Sequence, residues 1–380
     1  MLSEKERTAT ITGICITGEK LVIPSHINGY RIECIGKDDG EGINTEGRKF
    51  EVKEIVLPVT LKRIGKSAFT CFENLEKINI PSSVQKIGEY AFEDTSLKKI
   101  ELKNRDIVLE RGAFAGCRAL EEIVWPNNQM TGTIGEGCFQ ACNLKELNYP
   151  NMKYQTCVGA YAFAANSRLK VIRFSQFHKK LYIPNSVFTN CERAVLIIPA
   201  KVRFIDYQVN PKLNTIIFLG KRTKFINLAP LVEKQKRVQG KTYLQIRNVV
   251  AIQGANVLKQ VKNSYYGIEN DVGEDVYCGG DNNYNFNHEM KPVNMVAIDI
   301  SAPCVEVNNN NLFWKYCRGV EYYEIYYSPT ELGGYKRIAV TKMLRFKMRQ
   351  EGYYRVRIVR KAYKEEWKGK FSTPFIGRVV

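Results

Sequence analysis

The sequence predicts a mainly β protein: a solenoid of short strands, turns and short helical segments, followed by a β-sandwich. Three observations lead there. A short signature recurs through the first half at steps of 22–25 residues, and a fixed period of that size marks a repeat architecture. Each copy runs into an alternating apolar stretch, most often closed by proline, which is a short strand with every second side chain inward. After residue 291 the period gives way to β-branched and aromatic runs separated by glycine, the pattern of a sandwich.

The repeat is read in order. Ile64-Gly65-Lys66-Ser67-Ala68-Phe69 is followed by Ile87-Gly88-Glu89-Tyr90-Ala91-Phe92, Glu110-Arg111-Gly112-Ala113-Phe114 and Ile134-Gly135-Glu136-Gly137-Cys138-Phe139. Gly159-Ala160-Tyr161-Ala162-Phe163 and Asn185-Ser186-Val187-Phe188 complete the series. Each phenylalanine leads to an apolar ladder: Leu75, Ile78 and Ile80; Leu120, Ile123 and Trp125; Leu144, Leu147 and Tyr149; Leu169, Ile172 and Phe174. Small residues before each phenylalanine allow a tight turn, and the ring fills the coil. Burying one ring contributes about 1.5–3 kcal/mol. No coil buries its apolar face alone, so the coils must stack.

The pattern I-G-x-x-A-F-x-x-C-x-x-L-x-x-I-x-I-P resembles the BspA-type leucine-rich repeat, over about residues 8–220. Leu21 to Tyr30 resembles the opening unit of that family. Residues 36–50 depart from it, because a Gly/Asp/Glu-rich insertion stands where Ala-Phe should follow Gly36-Lys37. The resemblance implies a surface or secreted protein.

Residues 221–290 are expected to close the solenoid and lead into the last module. Asn227 to Val232 reads as a short helix, Thr242 to Arg247 as a strand, and Asp281 to Asn287 as a polar loop. The expected domains are therefore 1–220, 221–290 and 291–380. In the last, Trp314 on the second strand, Tyr323-Glu324-Ile325-Tyr326 on the third and Tyr354-Arg355-Val356-Arg357-Ile358 on the sixth resemble a fibronectin type III domain. By that resemblance Tyr354 is the corner tyrosine. No Arg-Gly-Asp tripeptide occurs, so integrin-type recognition is not implied.

The chain has 380 residues and a net charge of +18. The excess is uneven: +4 over 1–200, +9 over 201–248, −4 over 249–290 and +9 over 291–380. No run of about 18 apolar residues is present, so no membrane insertion is expected. No signal peptide follows Met1, which points to a cytoplasmic or leaderless protein, against the location the resemblance implies. Eleven cysteines occur without a Cys-x-x-Cys pair. Cys138 and Cys142 have a ligand-like spacing, but Cys138 takes the alanine place of the repeat, and Cys117, Cys142 and Cys191 each fall three residues after a phenylalanine. They read as core rather than as a metal site.

Catalysis is not expected. None of His26, His178 and His288 has a nearby Ser or Cys in a nucleophile context, so a triad is not supported. Gly65-Lys66-Ser67 imitates a phosphate loop, but Thr60 replaces its first glycine. No cofactor and no small-molecule substrate are implied. The expected activity is protein binding or adhesion through the strand face of the solenoid. One outward column holds Glu54, Lys77, Lys99, Glu122, Glu146, Val171, Val195 and Thr215. The other holds Val56, Asn79, Glu101, Val124, Asn148, Arg173, Ile197 and Ile217. The late members, Val171, Arg173, Val195, Ile197, Thr215 and Ile217, are expected to form an exposed apolar contact patch, unless the closing segment or the last module covers them. The alternative is an anionic polymer, nucleic acid or acidic glycan, bound by the basic segments 201–248 and 291–380, with Lys221, Arg222, Lys224, Lys234, Lys236 and Arg237 as contacts. Its bland counterpart is a charged surface that serves solubility alone.

Overall fold

A computed structural model describes residues 2–38, 40, 42–127, 129–154, 157–174, 179–184, 186–207, 215–226, 248–261, 265–268, 289–292, 294–298, 302–317, 319–362 and 365–377. The chain forms two units, 1–250 with 255–296, and 251–254 with 297–380.

The first unit is a β-solenoid. The Ile-x-Ile triplets follow one another along one wall, the first ladder, as three parallel sheets. Lys20–Val22, Glu54–Val56 and Lys77–Asn79 pair in register, as do Lys99–Glu101 with Glu122–Val124. Glu146–Asn148, Val171–Arg173, Val195–Ile198 and Thr215–Phe218 continue the same way. The central residue of most triplets points inward, and Ile55, Ile100, Leu147 and Ile172 are buried.

A second parallel ladder runs through the Ile-Gly step of the signature, where the sequence showed only a turn. Cys34-Ile35, Arg63–Ile64, Lys86–Ile87, Val108–Leu109 and Thr133–Ile134 pair in order. The ladder resumes with Lys180–Ile183, Phe204–Tyr207 and Lys224–Ile226. Most of its early strands are two residues long, too short for an alternation to be read. The signature glycine has its reason here: a Cβ on Gly88 would lie 2.7 Å from the Gly65 carbonyl carbon, and one on Gly135 2.5 Å from that of Glu110. Successive coils touch backbone to backbone.

The third wall carries the phenylalanines. Two residues per coil, two before and two after the ring, are left-handed: Ser67 and Cys71, Tyr90 and Asp94, Gly112 and Gly116, Gly137 and Ala141, Tyr161 and Ala165, Ser186 and Asn190. Every second N–H then donates to the next coil, as Phe69 to Ala91, Phe92 to Ala113 and Phe114 to Cys138. The rings of Phe69, Phe92, Phe114, Phe139 and Phe163 stack at centroid spacings of 5.2–5.5 Å, and Phe188 follows at 6.1 Å. Beside them Leu75, Leu97, Leu120, Leu144 and Leu169 are wholly buried.

The cysteines sit as the repeat requires. Cys117, Cys142 and Cys191 donate through sulfur to the carbonyls of Phe92, Phe114 and Phe163. Thr95 and Asn166 take the same place in their coils, and Asn166 donates to the Phe139 carbonyl at 2.9 Å. Burial pushes the Cys191 thiol up to about 12 and Cys138 well above its ordinary value. Protonated thiols of this kind are poor metal ligands. Among the described residues no cluster of metal-ligating groups occurs, and no described helix is long and apolar enough to cross a membrane.

The insertion does not displace the coil. Gly65 donates to the Ile35 carbonyl and Lys66 to that of Lys37, so Gly36-Lys37 stands under Gly65-Lys66 as the repeat demands. Ahead of it, His26–Ile27 and Tyr30–Ile35 form a hairpin through left-handed Asn28 and Gly29. At the far end, the side-chain amide of Gln260, on the helix Asn256–Val261, meets both the N–H and the carbonyl of Phe225 at 2.9 and 3.1 Å. It stands where a further strand would pair. The expected helix at 227–232, strand at 242–247 and loop at 281–287 lie outside the described residues.

The second unit holds two antiparallel sheets. Val305–Asn308, Asn311–Trp314 and Arg345–Lys347 form one; Lys336–Thr341, Tyr322–Ser328, Gly352–Ala362 and Glu365–Lys368 form the other, with Phe375–Gly377 on the long strand. Leu312, Trp314, Tyr323, Ile325, Met348, Tyr354, Val356 and Ile358 make its core. The arrangement is compatible with a β-sandwich. The Tyr354 hydroxyl donates to the Gln350 carbonyl at 2.9 Å and accepts from the Gln350 N–H.

Candidate partner-binding surface

The outward columns of the first ladder divide into two halves. From Lys77 to Asn148 most members are exposed: Lys77, Asn79, Lys99, Glu101, Glu122, Glu146 and Asn148. Their charges pair along the solenoid axis, because residues in register on adjacent strands are neighbours. Lys20 meets Glu54 at 2.7 Å, Lys99 meets Glu122 at 2.9 Å, and Arg173 meets Glu146 at 3.0 Å. One position earlier, Lys53 pairs with Glu19, Lys98 with Glu76 and Lys145 with Glu121, at 2.6–2.7 Å. Such exposed pairs add little to stability, roughly 0–1 kcal/mol each. They do leave an exposed face of mixed charge.

The late half departs from expectation. Val171, Val195, Ile197 and Ile217 are buried, as is Thr215, while Arg173 is half-buried. No exposed apolar patch exists there, since both faces of Val195–Ile198 and Thr215–Phe218 are covered. The signal was present in the sequence: V-L-I-I and T-I-I-F are continuous apolar runs, which belong to strands buried on both faces. Alternation read one coil at a time passed over it.

Of the basic contacts, Lys221, Arg222 and Lys224 are exposed; Lys234, Lys236 and Arg237 lie outside the described residues. His26 is exposed and shares a 3.1 Å hydrogen bond with Ser25. His178 and His288 are not among the described residues.

Residues 48–157 and 110–216 match the family described as BspA type Leucine rich repeat region, in six copies. The matched stretch, 48–216, is a little under half of the chain and coincides with the coils of the solenoid. Among solved structures, a leucine rich repeat protein of T. pallidum is 22% identical, covering 52% of this chain and 76% of its own at a TM-score of 0.35. One from Bacteroides ovatus is 19% identical, covering 68% and 91% at 0.31. The pneumococcal vaccine antigen PcpA is 14% identical, covering 67% and 89% at 0.29. No curated protein matches the chain.

Proposed function

We propose that the protein is a non-catalytic binder of another protein, of the adhesion type, and that it takes its partner on the first ladder between Lys77 and Asn148. The observation that carries this reading is the exposed face of mixed charge, built on coils whose Phe rings stack in a column. Such a face suits a partner with its own mixed charges, which can exchange the axial pairs for intermolecular ones. The buried late members, from Val171 to Ile217, are packing in this reading. The division into 1–220, 221–290 and 291–380 is part of it, as is a fibronectin type III-like identity for the last segment. The strand order of its two sheets and the Tyr354–Gln350 hydrogen bond support that identity.

A panel of immobilised extracellular proteins probed with the whole chain provides the test. Any ligand found is measured again with Lys77→Glu/Lys99→Glu and, as a control of equal charge change, Lys336→Glu/Lys347→Glu. Tenfold or greater weakening by the first pair alone is expected. Equal affinity for both variants and the parent chain would remove the ladder from consideration.

A further inference from the structure

The second ladder changes its electrostatics along the solenoid. In the early coils its cations are matched: Glu33 takes Arg31 and Lys62, Asp38 takes Arg63 and Lys86, and Glu110 takes Lys86. Burial raises the Glu33 pKa, but Lys62 and Arg31 outweigh it and hold the carboxyl below its ordinary value. The last two coils differ in composition. Residues 199–205 and 219–226 contain Lys201, Arg203, Lys221, Arg222 and Lys224 and no Asp or Glu. Among the described residues none of these five cations meets a carboxylate; all but half-buried Arg203 are exposed. Asp206 is the one acidic residue in the three late strands.

Register brings the cations together. Ile198 pairs with Phe218 across one coil, an offset of 20 residues, and Phe204 pairs with Lys224 at the same offset. Lys201 therefore lies beside Lys221 in the turn that enters the strand. Lys180, Phe204 and Lys224 form one row across three strands, at steps of about 4.8 Å. The Phe204 ring, in the middle of that row, is 49% exposed. In the early coils the same ladder presents Arg63, Lys86, Val108 and Thr133 in its outward row, with no aromatic ring.

An open ring with Lys224 beside it and Lys201, Lys221 and Arg222 in the adjoining turns has a specific chemistry. Cations alone attract any polyanion. The ring adds a surface on which a nucleobase stacks, and only an unpaired strand offers a base face to it. We propose that the late end of the second ladder binds single-stranded nucleic acid, with phosphates on Lys201, Lys221, Arg222 and Lys224 and a base on Phe204. This site is on the other ladder from the protein-binding face, so the two stand or fall separately.

The test is fluorescence anisotropy of the full chain with a fluorescein-labelled oligothymidylate about 20 nucleotides long, with a heparin fragment as the competing polyanion. With about four phosphates neutralised, affinity should fall about 50-fold on raising salt fourfold. Phe204→Ala should weaken oligonucleotide binding about 5- to 150-fold, the range for loss of one stacking ring, and leave heparin binding within about threefold of the parent chain. Phe204→Leu, which keeps the apolar half of the contact, should lose as much, which guards against misfolding of the alanine variant. Lys221→Glu/Arg222→Glu/Lys224→Glu should abolish binding, while Lys315→Glu/Lys336→Glu/Lys347→Glu, of equal charge change, should not. Oligonucleotide binding indifferent to Phe204, binding of heparin without the oligonucleotide, or equal losses from the two triple variants would each overturn the proposal.

Discussion

Ala141 holds its backbone at a φ of +56°, where its Cβ crowds the following carbonyl. That conformation costs an L-residue about 1–2 kcal/mol. The coil imposes it, because the N–H of Ala141 must reach the Ala164 carbonyl at 3.0 Å. Gly116 fills the same position one coil earlier, without the cost. Ala141→Gly should therefore stabilise the solenoid by about 0.5–1 kcal/mol, after allowing for glycine's greater freedom in the unfolded chain; chemical denaturation measures it. A loss of stability would mean that the Ala141 methyl packs better than its exposure suggests. The sequence disclosed half of this arrangement. Small residues two before the ring, such as Ser67, Gly112 and Gly137, signalled a turn. Their partners two after it, Cys71, Asp94, Gly116, Ala141, Ala165 and Asn190, span five residue types, so composition concealed them.

Within the second unit, alternation along Tyr322–Ser328 correctly puts Tyr323 and Ile325 inside and assigns Glu324 to the solvated face. The structure covers Glu324 completely. Arg337 and Arg357 each approach its carboxylate at 2.6 Å, and the Arg357 guanidinium lies 4.8 Å from the ring centroids of both Tyr326 and Phe371. A buried carboxylate must be paired, and a cross-strand pairing of this kind is not encoded in the local pattern of one strand. Burial raises the Glu324 pKa, but the two guanidiniums outweigh it and hold it below the ordinary glutamate value. A depressed folded-state pKa gives stability that is present above the unfolded pKa and lost as pH falls through the folded one. Glu324→Gln should cost about 3 kcal/mol at neutral pH, the range for breaking a buried pair. It should also flatten the decline of stability below the ordinary carboxylate range. Urea unfolding at pH 7 and pH 3 measures both; a variant as acid-sensitive as the parent chain would show that other carboxyls govern the decline.

For the whole molecule, the period of the repeat, the Phe column and the Ile-x-Ile ladder were legible because each coil restates them. The second ladder was not, because it arises between coils; the covering of the late strands was legible only in their unbroken apolar runs, not in the alternation of any one coil. The consequence for stability is that the solenoid behaves as a row of coupled coils rather than one core. Phe139, stacked between Phe114 and Phe163 and touched edge-on by Trp125, is a central link. Phe139→Ala should cost about 3–5 kcal/mol and broaden the unfolding transition, with the coils on the two sides of the gap melting apart. A single transition as sharp as that of the parent chain would argue for a core more cooperative than nearest-neighbour stacking provides.

The Phe wall has one more property. Among the described residues its inter-coil backbone hydrogen bonds run one way, from Ser67 to Glu89, Tyr90 to Arg111, Gly112 to Glu136, Gly137 to Ala160 and Ala165 to Thr189. In the first ladder the bonds run both ways, as from Ile23 to Val56 and from Glu54 back to Glu19, and largely cancel. Peptide dipoles of about 3.5 D each, aligned head to tail, add as they do in an α-helix. The wall is thus a polarised column whose negative pole faces the first coil and whose positive pole faces the last. A carboxylate introduced beside Phe188 is favoured by that field, and the same carboxylate beside Phe69 is opposed by it, although the two coils present the same fold.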